Sequence, residues 1–363
     1  MKRRSFLKGA AVAAATGSAG AFPAPAIAQQ TFHWKMVTTW PKNFPGLGTG
    51  AQRLADSITE ASEGRLTVKL YAAGELVPAF EVFDAVRDGH AECGHDAPVY
   101  WVSKNKSTPF FGTVPGGLTA QEHNGWIYSG GGQELWDELY GEYGLRAWPA
   151  GNTGCQMGGW FQNEINSLDD FKGLKMRIPG LGGEVVNRLG GTSVNMPGGE
   201  IMPALQSGVI NAAEWVGPWN DLAFGFYKVT KYYYGPGFHE PCACLSMIVN
   251  LEAYEALPKD LQRIVRDCAA AENTRMLADF TAANGSALQT LIEKHGVQLR
   301  HFPDDVFRET MRHGLDVVAE TAAEGEINRR IYESWAKFRK EAMGIAPTSD
   351  YGYMQARALY KES

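Results

Sequence analysis

The stretch FHWKMVTTWPKNFPGLGTGAQRLADSITEASEGRLTVKLY, residues 32–71, decides the fold class. Phe32, Trp34 and Met36 alternate with His33 and Lys35, the period of a half-buried strand, and Gly46 to Gly50 lead into a helical stretch with Leu54, Ile58 and Ala61 on one face. Gly64 closes that helix, and Leu66, Val68 and Leu70 give the next strand. A connection holding Gly74 and Pro78 follows, then a helix with Phe80, Phe83 and Val86 at i, i+3 and i+6, ended by Gly89. Strands alternating with helices over short connections predict βαβ units, hence an α/β fold with a largely parallel sheet covered on both faces.

Working outward, GEIMPAL (199–205) echoes GELVPAF (74–80), and each copy is followed by a glycine and a short strand, AVRDGHAEC in the first and ALQSGVINA in the second. Two related lobes are expected, with small molecules bound in the crevice at the carboxyl ends of the strands, where hinge closure buries them. The 363 residues suffice for two ordinary domains. From Pro258 to His295 the chain is nearly continuous helix former and ~57 Å long if unbroken, long enough to brace both lobes; a break near Asn284-Gly285 is the alternative. Val297, Leu299 and Phe302 read as a strand, Asp304 or Asp305 as the cap of another long helix, and Trp335, Phe338 and Met343 as part of an amphipathic C-terminal stretch suited to a dimer contact.

The N-terminus carries Lys2, Arg3, Arg4 and Lys8, then small apolar residues ending in Ala26-Ile27-Ala28, an A-x-A cleavage pattern. The twin arginines in KRRSFLK resemble a Tat export signal, so a soluble periplasmic protein is expected. Loss of the first 28 residues, which hold four positive and no negative side chains, takes the net charge from −6 to −10. No basic excess exists to neutralise a phosphate backbone, which excludes nucleic acid as a partner. Five cysteines, an odd number in an oxidising compartment, are read as buried thiols. Neither Cys242-x-Cys244 nor the run His90 to His95 has the spacing of a structural zinc site. No GxSxG, HExxH, GxxxxGK[ST] or strand-linked GxGxxG is present, and no haem or iron–sulfur ligand set supports the rival class, a Tat-exported enzyme carrying a cofactor.

Single residues leave their roles open. Leu174 and Met176 alternate toward the core, which puts Lys175 and Arg177 on the other face, either as solvent-exposed strand charges or with Arg177 offering two parallel donors to a carboxylate. Glu214 reads as a strand-end charge, Glu240 as a loop charge and Trp215 as core.

Four segments in order settle the choice: GNTGCQMGGWF (151–161), GLKMRIPG (173–180), INAAEWVGPWND (210–221) and YYYGPGFHE (232–240). Together they resemble the solute-binding subunits of TRAP (tripartite ATP-independent periplasmic) transporters, from the signal to about residue 300, and most closely the branch that binds 2-oxo acids or lactate with a cation. The resemblance implies a two-lobe periplasmic binding protein with no enzymatic activity, which captures a small monocarboxylate such as pyruvate or lactate and delivers it to membrane-embedded permease subunits. It implies that Arg177 grips the ligand carboxylate and that Gln156, Glu214, Glu240 and the Trp215 carbonyl form a hard-oxygen set for Na⁺ or Ca²⁺. Two glutamates, a ligand carboxylate and Arg177 are neutralised by a divalent ion, a slight tilt toward Ca²⁺. Asn152 is the expected further donor, and Tyr100 or Trp101 the opposite wall. Asp96 departs from the uncharged, tyrosine-rich stretch of similar proteins; it is either a cap or turn residue or a cleft group favouring a ligand hydroxyl. In similar proteins the C-terminal helices hold two chains together, so a homodimer is expected. The expected divisions are the signal at 1–28, lobe I at 29–150, lobe II at 151–245, returning strands and shared helices at 246–325, and a C-terminal helical extension at 326–363.

Overall fold

The alternation read from residues 32–89 is present, and it is present twice. The computed structural model describes residues 30–360, so the expected export signal lies outside the described residues. In the first lobe β1 (Phe32–Thr38), α1 (Leu47–Ala61), β2 (Leu66–Tyr71), α2 (Val82–Arg87) and β3 (Cys93–Asp96) form a parallel unit in the order β2-β1-β3. Most side chains of the periodic pattern are buried, among them Trp34, Met36, Leu54, Ile58, Leu66, Val68, Phe83 and Val86, each aliphatic one contributing ~1.5–3 kcal/mol by leaving water. Phe32, Leu70 and Phe80 are only half-buried, and the out-of-phase Val37 and Val82 are buried as well. Ala61, placed on the same face by spacing, is exposed in the last turn. A helical pair, α3 (Ala120–Ser129) and α4 (Gly132–Gly141), then leads to β4 (Leu145–Asn152).

The chain crosses to the second lobe through β5 (Gly159–Phe161) and repeats the plan with β6 (Lys175–Arg177), α5 (Gly180–Arg188), β7 (Thr192–Val194), α6 (Gly198–Ser207) and β8 (Ala212–Ala213), parallel in the order β7-β6-β8. The echoed segments occupy the same topological place, between the second and third strands of each unit. Their local structures differ: Gly74 lies in a turn at φ +83°, whereas Gly199 and Pro203 are inside α6. After α7 (Pro218–Phe224) and β9 (Tyr232–Tyr234) the chain returns through β10 (Cys244–Asn250). The full sheets are β2-β1-β3-β10-β4 and β11-β9-β5-β8-β6-β7, where β11 is Gln298–Arg300.

Both sheets are mixed rather than purely parallel. β10 runs against β3 and β4, and β5 runs against β8 and β9. The reason is directional: the parallel strands of each unit end at the cleft, so a strand arriving from the other lobe enters at that end and runs the opposite way.

After the short α8 (Leu251–Glu255), the long stretch from 258 forms one unbroken helix, α9 (Lys259–His295), about 55 Å long. It packs on α1 and β4 in the first lobe and on α7 in the second. Arg53 of α1 holds Glu272 through two bonds of 2.6 and 2.7 Å, and Gly50 and Gly151 make room for Met276, since a Cβ there would stand 2.3 and 2.6 Å from it. Asn284, read as part of a break, instead accepts the Trp219 N–H at 3.1 Å and docks the second lobe. Then α10 (Asp304–Glu320) packs on α5, while α11 (Glu326–Ile345) packs on α3 and α4, so this pair also spans the lobes; α12 (Asp350–Ala358) follows. The N-cap of α10 is Pro303 rather than an aspartate; Asp304 and Asp305 lie inside the first turn, where they favour the helix dipole. Among the described residues, no helix is long and apolar enough to cross a membrane.

Candidate functional site

Arg177 ends β6, between the parallel neighbours β7 and β8, and its alternation with Met176 turns the guanidinium into the cleft, where it is 1% exposed. Its surroundings fix it closely. Nε donates to the Met196 carbonyl at 3.2 Å, Nη1 donates to the Glu214 carbonyl at 2.9 Å and to the Glu214 carboxylate, and the cation lies 5.1 Å from the Trp215 ring centre. The two-pronged fork expected for a ligand is therefore half occupied by the protein, and only Nη2 is without a partner.

Three loops lace together around that nitrogen. The Gln156 N–H donates to the Glu240 carbonyl at 3.1 Å, the Gly237 N–H to the Gln156 carbonyl at 2.9 Å, the Met157 N–H to the Val216 carbonyl at 3.0 Å and the Glu214 N–H to the Arg177 carbonyl at 3.1 Å. Lacing brings Gln156, Glu214, Trp215 and Glu240 to one place, all buried. The Gln156 side-chain amide donates to Thr153 Oγ1 at 3.2 Å, which aims its Oε1 away, into the site. Gln156 Oε1, Glu214 Oε2, Trp215 Nε1 and Arg177 Nη2 are all buried with no partner among the described residues. Each such atom costs roughly 1–3 kcal/mol unless something satisfies it, and native proteins rarely collect several in one spot. Burial, and next the nearby Glu214 charge, push the Glu240 carboxyl well above the usual range; Arg177 opposes this. A cation beside the two carboxylates and the amide oxygen would relieve both the burial and the repulsion, so these residues fit one.

The first lobe covers this cluster with apolar surface. Trp40, Ala97, Val99, Tyr100 and Leu245 line the cavity opposite Arg177, Gln156, Trp215 and Glu240, and the enclosed free space is about 20 Å³. That holds a water or little more, so a larger solute enters only with the lobes further apart. Trp40 is itself held by His95, whose Nδ1 accepts the indole N–H at 2.8 Å while Nε2 faces the Ala150 carbonyl at 3.0 Å. Lobe II meets this wall through Trp215, Phe224 and Asn220: Phe44 and Phe224 pack with ring centres 4.4 Å apart, and Asn220 Nδ2 donates to the Pro45 carbonyl at 2.9 Å. Gly198 lets the Trp215 indole lie close, since a Cβ there would fall 2.5 Å from it.

Asp96 and Asn152 stand behind this surface. Asp96 is buried and accepts from Trp101 Nε1 at 2.7 Å and from the Ser246 hydroxyl; it anchors the Tyr100-Trp101 turn to β10 and is not part of the cavity wall. Asn152 Oδ1 accepts the Gly154 N–H at 2.9 Å, its Nδ2 is unpartnered, and the neighbouring Thr153 lines the cavity. The five cysteines are free thiols; Cys93, Cys242 and Cys244 are buried as expected, but Cys155 is exposed on its loop and Cys268 only half-buried on α9. With both nitrogens of His95 engaged, the His90–His95 zinc alternative does not assemble.

One member escaped the sequence reading. His239 is 1% exposed, and one of its ring nitrogens and a carboxylate oxygen from each of Glu214 and Glu240 lie within 4.8 Å of one another, a metal-competent group among the described residues. Its only signal was adjacency to Glu240 in a loop without periodicity.

A model of the bacterial extracellular solute-binding proteins of family 7 matches residues 36–325. A Nostoc sp. protein named as a monocarboxylate 2-oxoacid-binding periplasmic protein is 39% identical over 358 residues, 97% of this chain and 98% of that protein. A TRAP periplasmic solute-binding protein of Pseudoalteromonas atlantica, solved with bound sodium and pyruvate, superposes with a TM-score of 0.87 at 39% identity, covering 90% of this chain and 99% of that one. Another, from Colwellia psychrerythraea with bound calcium and pyruvate, gives a TM-score of 0.87 at 40% identity over 90% and 100% of the two chains. With two lobes facing one another over a buried polar cluster and a helix bracing both, the chain belongs to bacterial extracellular solute-binding protein family 7, the periplasmic solute-binding subunits of TRAP transporters.

Proposed function

We propose that this protein captures a small 2-oxo or 2-hydroxy monocarboxylate, with pyruvate as the leading candidate, together with Na⁺ or Ca²⁺, and hands it to the membrane-embedded subunits of a TRAP permease. The observation that carries this reading is the set of unpartnered buried atoms: a cationic donor, Arg177 Nη2, beside oxygen acceptors on Gln156 and Glu214. The first calls for an anion and the second for a cation. A bound Na⁺ or Ca²⁺ would supply positive charge among Gln156 Oε1, Glu214, Glu240 and the Trp215 carbonyl.

The chain's own residues do the rest. Arg177 Nη2 receives a carboxylate; its Nη1, held by Glu214, keeps the guanidinium from swinging to meet a second one. Trp215 and Tyr100 flank the anion, and the unpartnered Trp215 Nε1 is the remaining donor for its oxygens, while Asn152, expected as a donor, stands behind the cavity wall. Closure of Trp40, Val99 and Leu245 over the cluster expels water, which strengthens each charge interaction. A cavity this small favours short acids over long ones. The role is capture and release without turnover.

Titrating the mature protein with pyruvate, lactate and longer 2-oxo acids in a calorimeter, with and without Na⁺ or Ca²⁺, tests this. Tight cation-linked binding of the short acids is expected. Binding indifferent to both cations would overturn the joint site, and product formation would overturn a purely binding role.

For the assembly, we assign the exposed Met343 and Ile345 of α11, Tyr353 and Met354 of α12 and Leu359 just beyond it to contact with a second copy. Truncation after Ile345 should then convert a dimer to a monomer in sedimentation velocity.

A further inference from the structure

His239 differs from the other buried histidines. His95 engages both ring nitrogens and His123 engages Nε2, at 3.1 Å from the Phe110 carbonyl, whereas His239 engages neither. Its ring is nonetheless closely held. A Cβ at Gly182 would fall 2.7 Å from the His239 Cβ, and one at Gly237 would fall 3.1 Å from its Cε1, so both glycines exist at the expense of free space around the ring. An immobilised, fully buried imidazole with no hydrogen bond is costly to keep unless it has another partner.

Its nearest polar neighbour defines that partner. His239 Nε2 lies 3.3 Å from Glu214 Oε2, yet the two are not aligned for a hydrogen bond and both remain unpartnered. Two donors bound to one ion at ~2.1 Å, subtending an angle between octahedral and tetrahedral, stand ~3.0–3.4 Å apart. The observed spacing is that of two ligands of one ion. Glu240 completes the group, with all three ligating atoms inside 4.8 Å, so closing the widest pair by about 1.4 Å, roughly 0.7 Å per atom, brings them onto a common centre.

We infer that His239 gives this cation site a nitrogen donor, so that Glu214, His239 and Glu240 also take a divalent transition metal such as Mn²⁺, Co²⁺ or Zn²⁺. The inference rests on the reading of the cleft as a cation site and goes beyond its all-oxygen ligand set. Imidazole adds little for Na⁺ or Ca²⁺, which prefer oxygen, and much for the first-row dications, whose affinity for mixed nitrogen and oxygen sets rises along the series. His239 is then the residue that sets cation choice.

Untagged mature protein titrated with CoCl₂ provides the test. The expected result is one Co²⁺ per chain with visible d–d absorption, and a paramagnetically shifted, exchangeable imidazole N–H signal in the proton spectrum. His239→Gln should lower Co²⁺ affinity by at least the ~10- to 100-fold that loss of even an outer partner costs, and change Ca²⁺ affinity less than threefold. Wild-type protein that binds no Co²⁺, or binds it without a shifted imidazole signal, overturns the inference, and the wild-type spectrum decides even if the variant fails to fold. Equal losses of Co²⁺ and Ca²⁺ in a folded His239→Gln protein overturn it as well, because His239 would then only position Glu214. Pyruvate titration of the same sample separates the two readings: Co²⁺ bound through imidazole with no response to pyruvate supports this inference and defeats the proposed ligand.

Discussion

At the carboxyl end of β1 stand Thr38, Thr39 and Trp40; at the equivalent end of β6 stand Arg177, Ile178 and Pro179. After β3 the chain continues with Ala97, and after the equivalent β8 with Glu214 and Trp215. Each lobe carries the same three-stranded parallel unit, with an antiparallel crossing strand beside its third strand. At these ends the second copy turns Arg177 into the cavity, whereas the first turns Trp40 and Ala97 into it and keeps Asp96 behind them. The proposed function then predicts a sequence of events: the second lobe already holds its ion pair and its orphaned donors, so it should meet the solute first, and the first lobe should then cap it and remove water. Affinity should come from lobe II and retention from lobe I.

The sharpest break of that division is Arg177→Met. Truncating one partner of a buried, hydrogen-bonded charge pair costs about 2–5 kcal/mol of binding, so pyruvate affinity should fall ~30-fold to several thousandfold in calorimetry. The same change strands Glu214 in the interior, so the variant should also melt at lower temperature without ligand. A loss no greater than that of a lobe I variant would refute the assignment of affinity to lobe II.

Each lobe also buttresses its contribution with one buried acid: Asp96 under Tyr100 and Trp101, and Asp221, which accepts from Trp160 at 3.0 Å and Tyr233 at 2.7 Å. Burial pushes both carboxyls up to about 7. For Asp96 the folded value is raised, so its stabilisation is complete below the ordinary value of 3.8 and is lost as pH rises toward 7. Asp96→Asn lacks that loss. Its stability relative to wild type should therefore climb from near zero at pH 4 to on the order of 4 kcal/mol at pH 8, read by urea denaturation of ligand-free protein. A difference independent of pH would show that Asp96 is ionised in the fold.

How much of this was readable in sequence depended on period. Trp34, Met36, Leu54, Ile58, Met176 and the single long helix follow strand or helix spacing, and spacing is what a local pattern preserves. The antiparallel entry of β5 and β10 is set by where the chain comes from, which no window of sequence contains. Arg177 could be placed on a face but not in a cleft, because an exposed face and a face covered by another lobe share one pattern; the motif resemblance supplied the difference. That Nη1 is held by Glu214, 37 residues on, and that Asp96 meets Ser246, 150 residues on, are tertiary facts. His239 and Glu240 lie in an irregular loop, where neither period gives a side chain a direction.

The clasp between the lobes gives a smaller effect of a different kind. Phe44 packs on Phe224 and against Trp215, and these contacts exist only with the lobes together. An aromatic pair contributes about 0.5–1.5 kcal/mol beyond its buried area, so Phe44→Ala should weaken pyruvate binding ~10-fold. The change should appear in the dissociation rate, because lobe II is untouched and first encounter is unaffected. A slower association rate with unchanged dissociation, in stopped-flow fluorescence, would mean that Phe44 guides entry rather than holding the cleft shut.

Tyr100 is the mildest probe and the most discriminating, because it brings a phenol from the covering lobe to the site. Burial raises its phenol above the ordinary value, with Arg177 beside it opposing that shift, so the hydroxyl stays protonated and keeps a proton to give a ligand oxygen. Its ring packs on Trp40 and Phe80, at 6.1 and 4.9 Å between centres. Tyr100→Phe keeps those contacts and removes one hydrogen bond, a net of about 0.5–1.5 kcal/mol, or ~3- to 10-fold. If lobe I only covers, pyruvate and lactate should lose equally. If the phenol reads the second carbon, the loss should fall on one of the two, and parallel titrations with both acids would move part of the recognition from the charged lobe to the apolar one.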